Sequence, residues 1–554
     1  MIIPPNWPAL SSSALYWATR AVVFYFVLRI FHGFFTARMR FRRLKAQGVP
    51  MIPHSFVFGH LAAVAELTRG LPKEFNPQYI PLLITENWKS LFPDEESCPG
   101  LVYLDMWPMG PPMVWTVDPN YPPQSLYDTQ RVIHHPDSKN FIWPLTHNLD
   151  IFSANGPEWR TWRSRFNPGF SSKNITSMTS LILEEVAIFR DVLRSKLEPI
   201  ATNLTFDVIV RASIDMRLHE QTRDPSNPSP MKRAMVEQLS LLIFEYNIKN
   251  LPQILSPIRQ WKIWRNNHIM RDFLMPSIRD RLEPSPDRKP GKTIVDLALQ
   301  AFVSENNKTE MNVPAKPDKL FIDTVLAQLK LFIFAGHDTT AGVLCWVLHT
   351  LHTYPQCASL VRAELDSVLG PDATTALDSN PHLLNALPYT SAFVKEAFRL
   401  HPSAASIRIS ASDFTFTSPD GKVFPTSGFM IFDAVMAGMR SPTAFSRPNE
   451  FLPERWLAQP GEELYPKAKN AWRGFSMGPR GCIGQELAMA ELKLAVVMVA
   501  RELDIECAWD DWDAQRGWKG KKEEIFGHRC YQVGLAVPHC REGMPVRVRL
   551  RGSP

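Results

Sequence analysis

One cysteine, Cys482, lies in a glycine-rich segment that opens a run of helix-forming residues, and this arrangement constrains the chain more than any other feature. The segment reads Phe475-Ser-Met-Gly478-Pro-Arg480-Gly481-Cys482-Ile-Gly484-Gln-Glu-Leu-Ala488. Free N–H groups and the positive dipole at the start of a helix favour a thiolate. The three glycines have no Cβ, so we expect the backbone to approach a flat ligand closely, with Arg480 binding an acidic group of it. The alternative interpretation is a buried structural cysteine in a glycine turn.

A second segment, Phe334-Ala335-Gly336-His337-Asp338-Thr339-Thr340, lies midway along an apolar run that predicts a helix from Lys319 or Phe321 to about Leu351. A glycine inside a helix costs about 1 kcal/mol relative to alanine. Aspartate and threonine are also poor helix formers, and such local costs are expected where a site is built. A polar pair facing water is the alternative, and the apolar flanks on both sides argue against it.

These segments resemble motifs of the cytochrome P450 family. Residues 475–484 fill every fixed position of the family's cysteine-loop signature: Phe, two residues, Gly, one residue, Arg, one residue, Cys, one residue, Gly. The resemblance implies that Cys482 is the axial thiolate ligand to the iron of haem b. It also implies that the cofactor is bound by the surrounding loop residues Phe475, Gly478, Arg480 and Gly484.

The central helix segment resembles the family's oxygen-activation motif. By this resemblance Thr339 would stabilise bound oxygen, Asp338 would relay protons to it, and Gly336 would leave room for it. Threonine inside a helix can also bond back to a carbonyl and distort the helix. His337 is not expected to bind iron, because neighbouring positions on a helix face different directions.

Two segments resemble the family's E-x-x-R element and the arginine that completes it. Glu396 and Arg399 are spaced i,i+3 and therefore share a helical face, and Arg455 follows in Phe451-Leu-Pro453-Glu454-Arg455-Trp456. The resemblance implies that these three residues are structural and form a buried network, whereas an isolated surface pair contributes little. Met439 stands where the family usually has a histidine, which affects one local hydrogen bond and not the family assignment.

Residues for the haem propionates are implied by a W-x-x-x-R pattern in Gly156-Pro-Glu158-Trp159-Arg160-Thr-Trp162-Arg163. By the resemblance, the Trp159 N–H and Arg163 would bind propionates, and Arg408 is a further candidate. A surface helix with stacked arginine and tryptophan is the alternative.

An apolar stretch from Ala14 to Phe35 is close to the roughly 20 residues that cross a bilayer. Basic residues follow it at Arg38, Arg40, Arg42, Arg43 and Lys45, which favours a cytosolic catalytic domain by the positive-inside rule. Because Arg20 and Arg29 interrupt the stretch, a helix lying in the membrane interface is the alternative. We expect residues 1–47 to form the anchor and its basic flank, residues 48–60 a proline-rich hinge, and residues 48–554 a haem-thiolate monooxygenase domain.

The remaining sequence predicts a mainly α fold with small β-sheets, an α+β class, behind a single anchor helix. Helices are predicted from Pro355 to about Val368 and from Tyr389 to Leu400, and short strands at Asp413–Thr417 and Val423–Phe432. Seven irregularly spaced cysteines suggest neither a disulfide framework nor a zinc site. The net charge of +6 is too small to indicate nucleic-acid binding.

The resemblance implies a membrane-bound, single-pass monooxygenase that inserts one atom of O2 into a lipophilic substrate, typical of fungal enzymes of the endoplasmic reticulum. Secondary metabolism of polyketides or terpenoids and hydroxylation of fatty acids or alkanes are both open. Electrons would come from a separate NADPH-dependent reductase, with cytochrome b5 as an alternative donor. We expect this partner to dock on Arg160, Arg165 and Lys493. A haem isomerase that uses no O2 and a non-enzymatic membrane scaffold or haem sensor are the rival functions, and the intact Asp338-Thr339 pair and Cys482 argue against them.

Overall fold

The computed structural model describes residues 12–193, 197–243, 250–282, 291–307, 318–520 and 522–551. Helices dominate, as the sequence predicts. The first eleven helices are α1 (Ser12–Ala46), α2 (Leu61–Thr68), α3 (Tyr79–Glu86), α4 (Trp88–Leu91), α5 (Pro122–Tyr127), α6 (Pro136–Thr146), α7 (Gly156–Phe166), α8 (Ser172–Ser177), α9 (Thr179–Val192), α10 (Leu197–Ile214) and α11 (Pro230–Ser240). The others are α12 (Leu251–Leu255), α13 (Pro257–Leu282), α14 (Ile294–Asn307), α15 (Lys319–Thr353), α16 (Pro355–Leu369), α17 (Ala373–Ser379), α18 (Pro388–Leu400), α19 (Val435–Gly438), α20 (Gln485–Ala500) and α21 (Trp509–Gln515).

The strands are short and form one larger sheet and three hairpin-sized ones. They are β1 (Leu101–Leu104), β2 (Met113–Thr116), β3 (Val132–His134), β4 (Ser406–Ser410), β5 (Thr415–Thr417), β6 (Val423–Pro425), β7 (Met430–Asp433), β8 (Leu503–Cys507), β9 (Gln532–Val533), β10 (His539–Cys540) and β11 (Val546–Leu550). The five-stranded sheet has the order β1-β2-β7-β4-β3, and the pairs are β9 with β10, β8 with β11 and β5 with β6. In the large sheet only the pairing of β2 with β7 is parallel.

The long helix α15 forms the centre of the core. The carboxylate of Asp318 caps its first turn by accepting from the Phe321 N–H at 2.7 Å, and Pro355 prevents its continuation. Helices α10, α18 and α20 pack against it. Both faces of α15 are therefore buried over most of its length, which explains why its sequence is apolar all round.

Predicted and observed helices agree to within a few residues for α15, α16 and α18. The predicted strand over 423–432 is instead two strands, β6 and β7, which pair with different partners. Gly428 has a positive φ of 70° and lies in the turn between them, which the Phe429 N–H closes by donating to the Thr426 carbonyl at 2.9 Å. Most of the polar stretch 283–292 lies outside the described residues.

The first helix, α1, is consistent with membrane anchoring. Among the described residues two helices are long and apolar enough to cross a membrane, α1 from Tyr16 and α15. The qualifying window of α15 is 78% buried within the protein, so α15 is a core helix, whereas that of α1 is only 6% buried. The guanidinium of Arg20 lies 4.2 Å from the ring centre of Tyr16, so an aromatic face partly shields this charge.

The basic end of α1 packs against the catalytic body. The side chain of Arg38 is buried, donates to the carboxylate of Asp105 and also bonds the carbonyl of Val57 at 2.9 Å. His54 lies 3.0 Å from the same carboxylate, and Phe41 is buried among β-sheet residues. The division at residue 47 stays a prediction, and these contacts favour a boundary inside α1, near Arg38.

Candidate active site

The cysteine segment forms a tight loop that ends at the start of α20, as the sequence predicts. The Cys482 N–H donates to the Phe475 carbonyl at 2.9 Å, and the Gly481 N–H donates to the Gly478 carbonyl at 3.0 Å. Phe475 is buried with its ring edge-to-face on Phe398, 4.9 Å between centres. The loop is therefore held by its own backbone and by one aromatic anchor.

The three glycines of this loop differ in what surrounds them. Gly478 has a φ of 71°, and a Cβ there would lie 2.7 Å from the Leu126 carbonyl oxygen, so this glycine permits packing against α5. A Cβ at Gly481 would lie 3.2 Å from the Gly478 carbonyl. Only at Gly484 is the nearest atom the Cys482 Sγ, at 3.9 Å. Close approach to a flat ligand is therefore supported at Gly484 and not at Gly478.

The thiol of Cys482 is exposed just before the start of α20. Desolvation by the surrounding protein raises the pKa of the thiol, while the Gly484 N–H and Arg163 oppose that shift. An iron-binding cysteine needs an accessible sulfur with such donors beside it, because a large planar cofactor must fit against it.

One residue in the middle of α15 is also exposed. Ala335 is exposed although the preceding turn of the helix, from Leu331 to Ile333, is buried. The hydroxyl of Thr339 donates to the Ala335 carbonyl at 2.7 Å, the back-bond that the sequence predicts for a threonine inside a helix. Helix α20, which begins just after Cys482, packs on α15.

Asp338 has one neighbour that the sequence did not reveal, His539, which in turn contacts Glu198. His539 Nε2 lies 3.9 Å from the Asp338 carboxylate, and His539 Nδ1 lies 3.1 Å from the carboxylate of Glu198. The hydrogen bond to Glu198 raises the pKa of His539, and burial opposes the rise. The His539 side chain is about 43% exposed, so it is the most accessible of these three groups. Their separation along the chain hides them from any motif search.

Gly336 corrects another prediction. A Cβ at this position would lie 2.8 Å from Ile209 Cγ1 on α10, so the glycine allows α10 to pack closely on α15 rather than leaving room for oxygen. The hydroxyl of Thr205, also on α10, donates to the His337 carbonyl at 2.8 Å. His337 itself is buried with Nδ1 2.6 Å from the Ile333 carbonyl, as expected for a residue that binds no iron.

The predicted propionate residues converge near the cysteine loop. Arg163 on α7 donates to the Gly481 carbonyl at 2.9 Å, and the guanidinium of Arg480 lies 4.5 Å from the ring centre of Trp159. Arg480 also bonds the Ile151 carbonyl at 2.9 Å. Burial and the nearby charge of Arg480 lower the pKa of Arg408 on β4 to about 9.

In the described part of the chain, none of these three arginines is hydrogen-bonded to a carboxylate. Within the described residues, Arg163, Arg408 and Arg480 form hydrogen bonds only to neutral carbonyl, amide and hydroxyl oxygens. Burial lowers the pKa of each, because a charged guanidinium is costly without a partner. A cofactor that carries two carboxylates fits this set of donors.

His134 is a further neighbour that sequence reasoning missed. It pairs with Arg408 across β3 and β4, and its Nδ1 is buried without a hydrogen-bond partner. Burial and the charges of Arg408 and Arg480 lower the pKa of His134 well below its usual value. His134 Nδ1 is therefore a buried polar atom beside Arg408 whose partner is not among the described residues.

Glu396, Arg399 and Arg455 form the predicted buried network, and each is 0% exposed. Arg399 Nε lies 2.8 Å from Glu396 Oε2, and Arg455 Nε lies 2.9 Å from Glu396 Oε1. Burial alone would raise the pKa of Glu396, but the two arginines hold it below its usual value. The N–H of Trp456 also donates to Glu396 at 3.0 Å.

Met439 replaces the missing histidine without leaving a gap. Its sulfur lies 3.3 Å from the Arg473 N–H, which donates to it, and its carbonyl accepts from Arg399 at 2.8 Å. Arg473 in turn pairs with Asp433 at 3.0 Å. A Cβ on Gly438 would lie 2.3 Å from the Arg473 guanidinium, so Gly438 is required by this pair.

The predicted reductase-docking face is wrong in part. Arg160 is exposed, but Lys493 is 9% exposed and its ammonium donates to the Leu384 carbonyl at 3.0 Å. The guanidinium of Arg165 lies 4.9 Å from the ring centre of Trp162. The positive charge of Lys493 on α20 is therefore not available to a partner protein.

Comparison with known proteins agrees with this geometry. The cytochrome P450 family profile matches residues 102–518. The cytochrome P450 monooxygenase polC of Polytolypa hystricis is 34% identical over 556 residues, covering 98% of this chain and 97% of polC. The cytochrome P450 monooxygenase acrF of Aspergillus aculeatus is 27% identical over 512 residues, covering 86% and 98%. The crystal structure of the cytochrome P450DA heme domain has the same fold, with a TM-score of 0.67 at 19% identity, covering 91% and 97%.

These matches span nearly the whole chain and include fungal monooxygenases. Proteins of this fold and family carry haem with a cysteine thiolate as axial ligand. They use O2 and an organic substrate, and they take electrons from a redox partner. The chain therefore belongs to the cytochrome P450 family and is a haem-thiolate monooxygenase.

Proposed function

We propose that Cys482 is the axial ligand and that an organic substrate is oxygenated between the cysteine loop and the middle of α15. The observation that carries this proposal is that Cys482 and Ala335 are both exposed although they belong to segments of the core, the start of α20 and the middle of α15, that pack on each other. When bound, the haem supplies the activation of O2 that the side chains of the chain cannot perform alone. The roles of the surrounding residues follow from their contacts.

Arg163, Arg408 and Arg480, with the N–H of Trp159, would hold the haem propionates. This assignment is supported by the absence of a carboxylate partner for the three arginines among the described residues. Each guanidinium is already oriented by a carbonyl or hydroxyl oxygen, so little freedom is lost when a propionate binds. We assign Glu396, Arg399 and Arg455 a structural role, because they are fully buried.

Proton delivery is assigned to Asp338 and Thr339, with His539 and Glu198 as the supply from solvent. His539 contacts both carboxylates and is partly exposed, so it can take a proton from water and pass it to Asp338. Rotation of the Thr339 hydroxyl away from the Ala335 carbonyl would present it to the substrate space. This row of groups favours an oxygen-using enzyme over an isomerase of the same fold.

The substrate class we propose is lipophilic. Phe334 and Ala335 are apolar and lie one turn before Thr339 on α15, and α1 is long and apolar enough to hold the protein at a membrane, where such molecules partition. Two classes remain as candidates: polyketide or terpenoid intermediates of secondary metabolism, and fatty acids or alkanes. The fungal relatives favour the first class.

We propose an NADPH-dependent reductase as electron donor, with cytochrome b5 as the alternative, and the endoplasmic reticulum as location. The orientation rests on Arg42, Arg43 and Lys45, which stay exposed at the end of α1 and can bind anionic headgroups. Arg38 cannot contribute, because it is paired with Asp105 inside the body. The catalytic domain would therefore face the cytosol.

The test uses the full-length protein in vesicles with NADPH, the reductase, oxygen-18 gas, and a panel of fatty acids and terpenoids. We expect one labelled oxygen atom per product molecule. Thr339→Val should divert electrons to hydrogen peroxide while the haem spectrum stays unchanged. Thr324→Val is the matched control, because Thr324 makes the same back-bond, to Leu320 at 2.8 Å, but is buried outside the site. Unlabelled product, or equal coupling in both variants, would contradict the proposal.

A further inference from the structure

We propose that His349, Cys507 and Cys530 form a zinc site separate from the haem site. An imidazole nitrogen of His349 and the two Sγ atoms all lie within 4.8 Å of one another. His349 lies near the end of α15, Cys507 is the last residue of β8, and Cys530 lies just before β9. Three separate parts of the chain thus bring together three groups that bind soft metal ions.

The spacing of the three groups suits a tetrahedral ion. With Zn–S bonds of about 2.3 Å and Zn–N bonds of about 2.0 Å, ligand atoms around zinc stand roughly 3.5–3.8 Å apart. Cys507 Sγ lies 3.2 Å from His349 Nδ1, and no pair exceeds 4.8 Å. Small side-chain rotations would therefore place all three atoms at bonding distance from one ion.

The ring of His349 is already oriented for this role. Its Nδ1 faces Cys507, while its Nε2 lies 3.3 Å from the hydroxyl of Thr353, one turn later on α15. The indole of Trp346 packs edge-on against the imidazole at 5.8 Å between centres. Metal-binding histidines generally use their second nitrogen in such a hydrogen bond, which fixes the tautomer and the ring angle.

The chemistry of the cluster selects zinc over harder ions. Two thiols and one imidazole match the Cys and His ligands of zinc sites, and the cluster includes no carboxylate of the kind that calcium and magnesium prefer. Cys530 is buried, whereas Cys507 and His349 are only half-buried, so a water molecule can reach the fourth position. Zinc binding would deprotonate both thiols and release their protons to solvent.

The consequence of such a site is a cross-link within the core. Zinc would join the end of α15 to β8 and to the segment 522–531, three regions otherwise connected by packing. The cluster involves none of the residues assigned to the haem, so its occupancy and the haem occupancy are independent measurements. Neighbouring thiols at Cys345 and Cys540 hydrogen-bond to each other and remain outside the site.

The test measures zinc and iron in the purified haem-loaded protein by mass spectrometry of the elements, after incubation with Zn2+ and desalting. We expect about one zinc per iron in the wild type, since the three ligands bind one ion. Cys507→Ser and His349→Gln should each lose most of the zinc while keeping the iron. Cys98→Ser is the matched control and should keep both, because Cys98 bonds only the Pro99 carbonyl and lies outside the cluster.

A second readout protects the test against misfolded variants. The melting temperature of the wild type should rise with added Zn2+, and that of His349→Gln should not, while both keep the same haem spectrum. Zinc below a tenth of the iron in the wild type would overturn the proposal. So would a disulfide between Cys507 and Cys530 in the freshly purified protein, or copper in place of zinc.

Discussion

Replacing Glu396 by glutamine tests the buried network that supports the cysteine loop. The Glu396 carboxylate accepts five hydrogen bonds of 2.8–3.0 Å, two from Arg399 and one each from Arg455, Trp456 and the Leu452 N–H. Glutamine keeps one accepting oxygen and turns an N–H2 group toward donors. Two guanidinium groups that are 0% exposed would then lose their counter-ion.

The expected cost follows from these contacts. Removing one partner of a buried ion network destabilises a protein by about 3–5 kcal/mol. The arginines also donate to backbone carbonyls, such as those of Met439 and Ser446, and would keep these bonds in the variant. We therefore expect a destabilisation near the lower end of this range. A cost of this size is a large share of the roughly 5–15 kcal/mol by which native proteins are stable.

The assay is urea unfolding of the haem-loaded protein, followed by circular dichroism and by the haem absorbance. Glu450→Gln is the matched control, because the Glu450 side chain is 53% exposed and pairs with the exposed Arg447. That change should destabilise the protein far less than Glu396→Gln, because an exposed ion pair contributes little to stability. If the free energy of unfolding of Glu396→Gln lies within about 1 kcal/mol of the wild-type value, the network does not stabilise the fold as argued.

Three further predictions concern single residues. Burial raises the pKa of Glu491 from 4.5 to about 8, and its Oε1 has no partner in the described structure. The folded state therefore binds more protons than the unfolded state between these pH values, so stability should fall as pH rises through that window. Glu491→Gln should flatten this fall. Equal free energies of unfolding of the wild type at pH 5 and pH 8, measured by urea titration, would refute the prediction. Gly336→Ala should lower stability by about 1–3 kcal/mol through its clash with Ile209. Because Ile209→Ala is itself destabilising, the double variant should lose less stability than the sum of the two single losses, as measured by thermal unfolding. His539→Asn should slow product formation by about tenfold or more and leave haem binding intact, whereas unchanged turnover and coupling would exclude His539 from proton delivery.

The sequence predicted the parts of the site that are continuous in the chain. The loop around Cys482, the back-bond of Thr339 and the pairing of Glu396 with Arg399 each depend on residues a few positions apart, where backbone geometry fixes the outcome. The order of elements and the mainly α class followed from apolar periodicity in the same way. The resemblance to one family then joined these local features into a single site.

Features that depend on contacts between distant segments were not predictable. His539 lies near Asp338 and contacts Glu198 only because β10 and α10 fold beside α15. Gly336 and Gly478 resembled ligand-facing glycines, but their neighbours are Ile209 and the Leu126 carbonyl. Lys493 was predicted to be on the surface, although the apolar length of α20 already indicated burial on nearly all sides.

The cysteine cluster illustrates the same limit. Spacing in the sequence suggested no zinc site, since Cys507 and Cys530 are far from His349 along the chain. The β8–β11 pairing and the packing of β8 on α15 bring them together. Ligand motifs identify metal sites only when the ligands lie within one local element.

The central claim is that Cys482 binds the haem iron, and the absorbance of the reduced protein with carbon monoxide tests it most directly. The wild type should show the strongly red-shifted Soret band of a thiolate ligand. Cys482→Ala should lose this band, and Cys357→Ser, which changes a cysteine outside the site, should keep it. A histidine-type spectrum in the wild type, or a red-shifted band that survives in Cys482→Ala, would contradict the assignment.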